Sequence, residues 1–160
     1  MVATGGTFDE IHRGHIALLS KAFQAGRKVI IGVSSDEFAI KRGKKLNHDY
    51  EKRVQNLKNA IEREFGVVDY EIAKLEADFG PAVTSGDVSA LVTSSDTQHK
   101  GTTLNSIRTG RRLKPVQVIA VGIVKADDGR PISSTRIRAG EIDGTGKLLR
   151  KESSKDAPDD

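Results

Sequence analysis

Residues 1–15, MVATGGTFDEIHRGH, decide the fold. A short apolar segment, residues 1–4, runs into Gly5-Gly6, and an amphipathic pattern follows from residue 15. Paired glycines at that junction mark a tight strand-to-helix turn, where backbone can come close to a ligand. His12 and His15 are three apart, so they share one face of the helix that begins there. His15 falls in its first turn, where free N–H groups and the helix dipole favour an anion. Strand, glycine turn, two imidazoles and helix N-terminus together predict a phosphate-handling site.

Outward from this stretch, strand and helix patterns alternate. Residues 15–24 predict a helix, with Leu18, Leu19, Ala22 and Phe23 at 3.6-residue spacing and Gly26 as its stop. KVIIGV, residues 28–33, reads as an apolar strand. A helix over 35–41 is capped by Ser35, with Asp36 and Glu37 in its first turn. A basic, polar loop over 42–49 leads to a long helix over 50–65, whose face carries Val54, Leu57, Ile61 and Phe65. Strands are expected at 67–75, 89–93 and 116–124, an irregular segment at 76–88, and helices near 104–113 and 134–139. This alternation predicts an α/β chain, a Rossmann-like doubly wound parallel sheet with helices on both faces. One domain is expected over residues 1–145, followed by a polar, flexible tail at 146–160. Ligands in such sheets bind beyond the carboxyl ends of the strands, where strand order reverses. The 5–15 turn and the loops after Val33, Thr93 and Val124 fall at that edge.

Charge narrows the partners. The 160 residues hold 26 basic and 22 acidic side chains, a net +4. The last ten residues are acidic, so the basic excess sits in the body and attracts anions by field alone. A nucleoside triphosphate and a nucleic acid both satisfy that. Aromatics are only 4%, with no cluster to stack bases, which argues against nucleic acid as the partner. Lack of cysteine excludes disulfides and thiolate metal sites. No apolar run approaches the ~20 residues needed to span a bilayer. No secretory leader is evident, and a cytoplasmic, monomeric protein is expected.

Each candidate cluster has an ordinary structural alternative. His12 and His15 could be a metal pair, but zinc takes three or four ligands and only His48 and His99 remain as further imidazoles. ISSTRIR, residues 132–138, is a capped helix with surface arginines, and its hydroxyls and free N–H groups already suit an anion. Arg136 and Arg138 are two apart and project to opposite sides, so at most one aims at the site, and spacing does not choose. The loop Lys41-Arg42-Gly43-Lys44-Lys45 could be merely solvated, although it follows the second strand at the same sheet edge. Asn105 and Arg108 share a helix face, where a structural and a binding role are equally open.

GGTFD followed by HRGH, with ISSTRIR about 120 residues later, resembles the nucleotidylyltransferase superfamily with its (H/T)xGH and ISSTxxR motifs. Within it, the GGTFDEIHRGH opening, residues 94–97 with Asn105 and Arg108, and the closing ISSTRIRAGEID are similar to the archaeal phosphopantetheine adenylyltransferases. The resemblance covers roughly residues 1–145. It implies transfer of the adenylyl group of ATP to 4′-phosphopantetheine, giving dephospho-CoA and pyrophosphate in coenzyme A biosynthesis. Magnesium would arrive with ATP, and no protein metal site is implied. His12, His15, Lys44 and Arg138 would be catalytic. Gly5, Gly6, Phe8, Gly14, His15, Ser133, Ser134, Thr135 and Arg138 would bind ATP. Thr7, Lys44, Lys45 and Arg108 would hold the acceptor phosphate. Asp96 departs from the Glu of the archaeal pattern, and residues 34–53 are also similar to glycerol-phosphate cytidylyltransferases. A cytidylyltransferase or FMN adenylyltransferase is therefore the alternative enzyme. A nucleotide- or nucleic-acid-binding module is the non-enzymatic one.

Overall fold

Val29, Ile31 and Val33 face one side of the second strand and Ile30 the other, and all are buried. That is why residues 28–33 read as a continuous apolar run: a parallel strand is covered on both faces. The computed structural model describes residues 1–80, 82 and 85–149. Its strands are β1 (Val2–Gly6), β2 (Lys28–Ser34), β3 (Asp69–Leu75), β4 (Ala90–Ser94) and β5 (Gln117–Val121). They form one parallel sheet in the order β3-β2-β1-β4-β5. Helices α1 (Arg13–Ala25), α2 (Asp36–Lys41), α3 (Tyr50–Phe65), α4 (His99–Gly110) and α5 (Ser134–Arg138) connect and flank it.

Two cores make the sheet a central layer. Leu19 and Ala22 of α1 pack with Leu57 and Ile61 of α3 against Val2, Val29, Ile31, Val33 and Val92. On the other face Leu104 of α4 packs with Val88 and Val116 against Ala3, Ile30 and Leu91. β1 lies in the middle, with β2 on one side and β4 on the other, so strand order reverses at its carboxyl end. Gly5-Gly6 ends there. A side chain at Gly5 would meet the Gly32 carbonyl at 3.1 Å, and one at Gly32 would meet Leu75 at 2.7 Å, so the glycines leave room for Leu75 over the sheet. No helix among the described residues is long and apolar enough to cross a membrane.

Most expected boundaries shift by one to three residues, and three differ in ways that bear on the fold. α4 begins at His99, five residues before the expected start, because a short 3₁₀ turn over Ser95–Thr97 feeds straight into it. Gly101 lies inside that helix because a Cβ there would come within 2.3 Å of Val118. β5 stops at Val121 rather than 124, since the chain then turns and pairs Lys125 with Pro131 in an antiparallel bridge. The folded body also continues past residue 145: Ile142 bridges Leu148 and packs, fully buried, with Ala126 and Ile132. The remainder of the expected tail, residues 150–160, lies outside the described residues, as do 81, 83 and 84 of the irregular segment.

Candidate active site

Beyond Gly6, Phe8 takes a positive φ of 53° with its ring buried, a conformation that an L-residue holds only when its surroundings enforce it. The enforcing contacts come from the next residue. The Asp9 carboxylate is fully buried and accepts hydrogen bonds from the backbone N–H groups of Asn47, at 2.9 Å, and His48, at 3.0 Å. It also accepts the Arg138 guanidinium at 2.9 Å. Arg53 of α3, likewise buried, donates to the carbonyls of Thr7, Ser34 and His48 and pairs with Asp36 at 2.7 Å. The turn is therefore held from below by one anion and one cation.

His12 caps α1 rather than lying within it. Its Nδ1 accepts the Gly14 N–H at 3.0 Å, while the His15 Nδ1 accepts the His12 N–H at 3.2 Å. This is a capping box built from two imidazoles. The rings stack with centroids 3.8 Å apart, and Phe8 lies 4.9 Å from His15. Because both Nδ1 atoms accept, the neutral rings carry their protons on Nε2. Burial lowers the His12 pKa to about 4, and burial together with His12 lowers that of His15 well below the ordinary value. Near neutral pH the pair thus offers two fixed, uncharged N–H donors.

A cavity of about 430 Å³ opens over this turn. Gly5, Gly6, Thr7, Phe8, His12, Gly14 and His15 line it from the first segment, and Ser133, Ser134, Thr135 and Arg138 from the distant one. The two segments are also bonded directly: Ser134 Oγ donates to the Glu10 carbonyl at 3.1 Å, and Arg138 reaches Asp9. Ser133 caps α5 by accepting the Arg136 N–H, and Thr135 Oγ1 accepts from Arg138. The choice left open by spacing is decided by geometry. Arg138 lines the cavity, whereas Arg136 points away into Asp128 and Glu141.

A match to the cytidylyltransferase-like description spans residues 3–140. The chain belongs to the cytidylyltransferase-like family. Among its relatives, a phosphopantetheine adenylyltransferase of Methanothermobacter thermautotrophicus is 40% identical over 94% of this chain and 90% of its own. One from Methanosarcina barkeri is 42% identical over 93% and 92%. A solved structure of a protein of unknown function from Archaeoglobus fulgidus superposes with a TM-score of 0.67 at 31% identity, covering 75% of this chain and 87% of that one. Two expected site residues, Lys45 and Arg108, do not line the cavity.

Arg108 is the clearest correction. It is buried and donates to the carbonyls of Lys114, Ala82, Ser85 and Val88, so it stitches the segment before β4 to the one before β5 and does not face the cavity. Asn105 likewise bonds both the N–H and the carbonyl of Val116. Lys44 lines the cavity, its backbone N–H fixed to the Ala39 carbonyl at 3.0 Å, but Lys45 does not. Asp9 and Arg53 were missed by sequence reasoning. Asp9 stands next to the motif and could have been singled out; Arg53 sits in a helix rich in surface charge and carries no local signal.

Proposed function

We propose that this protein transfers the adenylyl group of ATP to 4′-phosphopantetheine, forming dephospho-CoA and releasing pyrophosphate. The observation that carries the reading is the junction of the two distant segments over one cavity, with the His12–His15 pair on one wall and Arg138 on the other. The curated relatives' names supply the acceptor. A phosphate oxygen of the acceptor attacks the α-phosphorus of ATP in line, and the bond to pyrophosphate breaks. A phosphomonoester is already largely dianionic near neutral pH, so the step needs no general base. Catalysis is then positioning and charge stabilisation.

Roles follow from placement. His15 and His12, as neutral rings, donate their Nε2–H groups to the α-phosphate oxygens of the transferring adenylyl group. The Gly5-Gly6 backbone, the Phe8 N–H and the small Gly14 let the phosphates approach closely. Ser133, Ser134, Thr135 and Arg138 hold the β- and γ-phosphates. Thr7 and Lys44 act on the acceptor phosphate.

Magnesium enters as part of the ATP substrate. Among the described residues Asp9, Glu10 and His48 bring possible ligand atoms within 4.8 Å of one another, but both Asp9 oxygens already accept N–H groups and Arg138, which does not fit a resident cation. The setting we infer is the cytoplasm, with the protein acting as a monomer. Pyrophosphate release is the test. ATP with phosphopantetheine should give rapid release, and CTP with glycerol phosphate or ATP with FMN little. Preference for either of the latter pairs transfers the assignment to that chemistry, and salt-sensitive nucleic-acid binding without any release makes the chain a binding module.

A further inference from the structure

Arg42 and Lys100 approach the same atom. Arg42 Nη1 lies 3.9 Å and Lys100 Nζ 3.8 Å from Asp78 Oδ1, and all three residues line the cavity. They come from three places: Arg42 from the end of α2, Asp78 from the segment after β3, and Lys100 from the first turn of α4. Arg42 is steadied by the Phe38 ring, 5.4 Å below its guanidinium. Lys100 is half-buried, and its proton affinity is lowered first by burial and then by the charge of Arg42, with Lys44 adding to the effect. Asp78 faces two cations, with Lys44 as a third and Asp96 as a second carboxylate near Lys100, so one positive charge is left over.

Their position in the sheet says what that charge is for. α5, with Ser134 and Arg138, follows β5 at one end of the strand order, while α2 and Asp78 follow β2 and β3 at the other. A nucleotide whose outer phosphates rest on α5 therefore presents its α-phosphorus over the central β1 turn. The attacking oxygen must come from the opposite direction. That direction is the one Arg42 and Asp78 flank, and Lys100, from α4 after β4, reaches across β1 to Asp78. Ion pairs this long and this exposed hold Asp78 weakly. A phosphomonoester, with nearly two charges and three acceptor oxygens, is the stronger ligand for the same donors.

We propose that Arg42 and Lys100 bind the phosphate of the acceptor, and that Asp78 is an internal carboxylate which this phosphate displaces. The inference rests on the adenylyltransferase reading and supplies the cations that Arg108 does not. Steady-state kinetics with saturating magnesium-ATP tests it. Lys100→Ala and Arg42→Ala each raise KM for phosphopantetheine about tenfold or more, the scale of one lost charged hydrogen bond. KM for ATP stays within about twofold, and Lys100→Arg recovers most of the loss. Asp78→Asn moves the other way and lowers KM for phosphopantetheine, since it removes the competitor and leaves both cations. Equal changes in the two KM values, no change in either, or weaker acceptor binding in Asp78→Asn overturns the subsite. If the wild-type protein releases no pyrophosphate with phosphopantetheine, the function falls, and inorganic phosphate becomes the probe. Titrated into protein saturated with a non-hydrolysable ATP analogue, it should bind more weakly to Lys100→Ala and more tightly to Asp78→Asn. Identical phosphate affinities across the variants overturn the subsite whatever the acceptor.

Discussion

Replacing Asp9 by Asn tests the foundation of the site without changing its size. The carboxylate is fully buried and satisfies two backbone N–H groups and the Arg138 guanidinium, with 2.9–3.0 Å contacts. An asparagine side chain keeps one acceptor oxygen, and its NH₂ group must face donors. At least one buried N–H then loses its partner, at about 1–3 kcal/mol, and Arg138 loses its counter-charge. Breaking a buried pair on one side costs about 3–5 kcal/mol. We expect Asp9→Asn to lower unfolding free energy by about 3–5 kcal/mol, a drop in Tm of roughly 10 °C for a chain of this size. Urea denaturation gives the first figure and calorimetry the second. The double variant with Arg138→Ala should show a coupling of about 1–3 kcal/mol, because the two side chains share one interaction. A stability loss below about 1 kcal/mol, or additive single and double variants, would refute the view that Asp9 anchors both the turn and Arg138.

Three further outcomes bear on the chemistry. His15→Ala should cut turnover by roughly 10²–10³-fold, the scale for one preorganised donor, and raise KM for ATP much less; pyrophosphate release measures both. Arg138→Ala should raise KM for ATP, whereas Arg136→Ala, which loses Asp128, Glu141 and the Arg130 and Pro131 carbonyls, should leave it unchanged and show its effect in thermal stability. The histidine pair also sets a pH dependence. The folded-state pKa values of His12 and His15 lie below the unfolded value of 6.5, so the unfolded chain binds more protons below that pH. Stability is fully present above about 6.5 and falls as pH drops toward 4, by up to about 2.7 kcal/mol per pH unit if both rings contribute. Denaturation midpoints across pH 4–8 check the sign, and a flat profile rejects the neutral pair.

Elements with a strong period were legible from the residues alone. α3 runs over the expected 50–65, since Leu57 and Ile61 mark its buried face and Gly66, at φ 71°, ends it. The first turn of α4 was not legible, because His99-Lys100-Gly101-Thr102-Thr103 has neither a helical apolar stripe nor good helix propensity. Within the site, the segments that meet were readable from their motifs, but the partners of individual cations were not. Arg108 and Arg138 are the same side chain in sequence. A guanidinium bonds carbonyl oxygens and phosphate oxygens with the same N–H groups, and only tertiary position separates the two uses. Lys100 shows the converse. It sits in a stretch without pattern, and its interest arises only because α4 brings it to a carboxylate 22 residues earlier in the chain.

The contacts that join the two walls of the cavity span 124 and 129 positions of the polypeptide, and the Arg13 N–H is held by the Gly144 carbonyl. A chain emerging from the ribosome therefore completes its sheet before it owns a working centre. Premature termination ahead of residue 133 leaves a fragment without the second wall of the cavity.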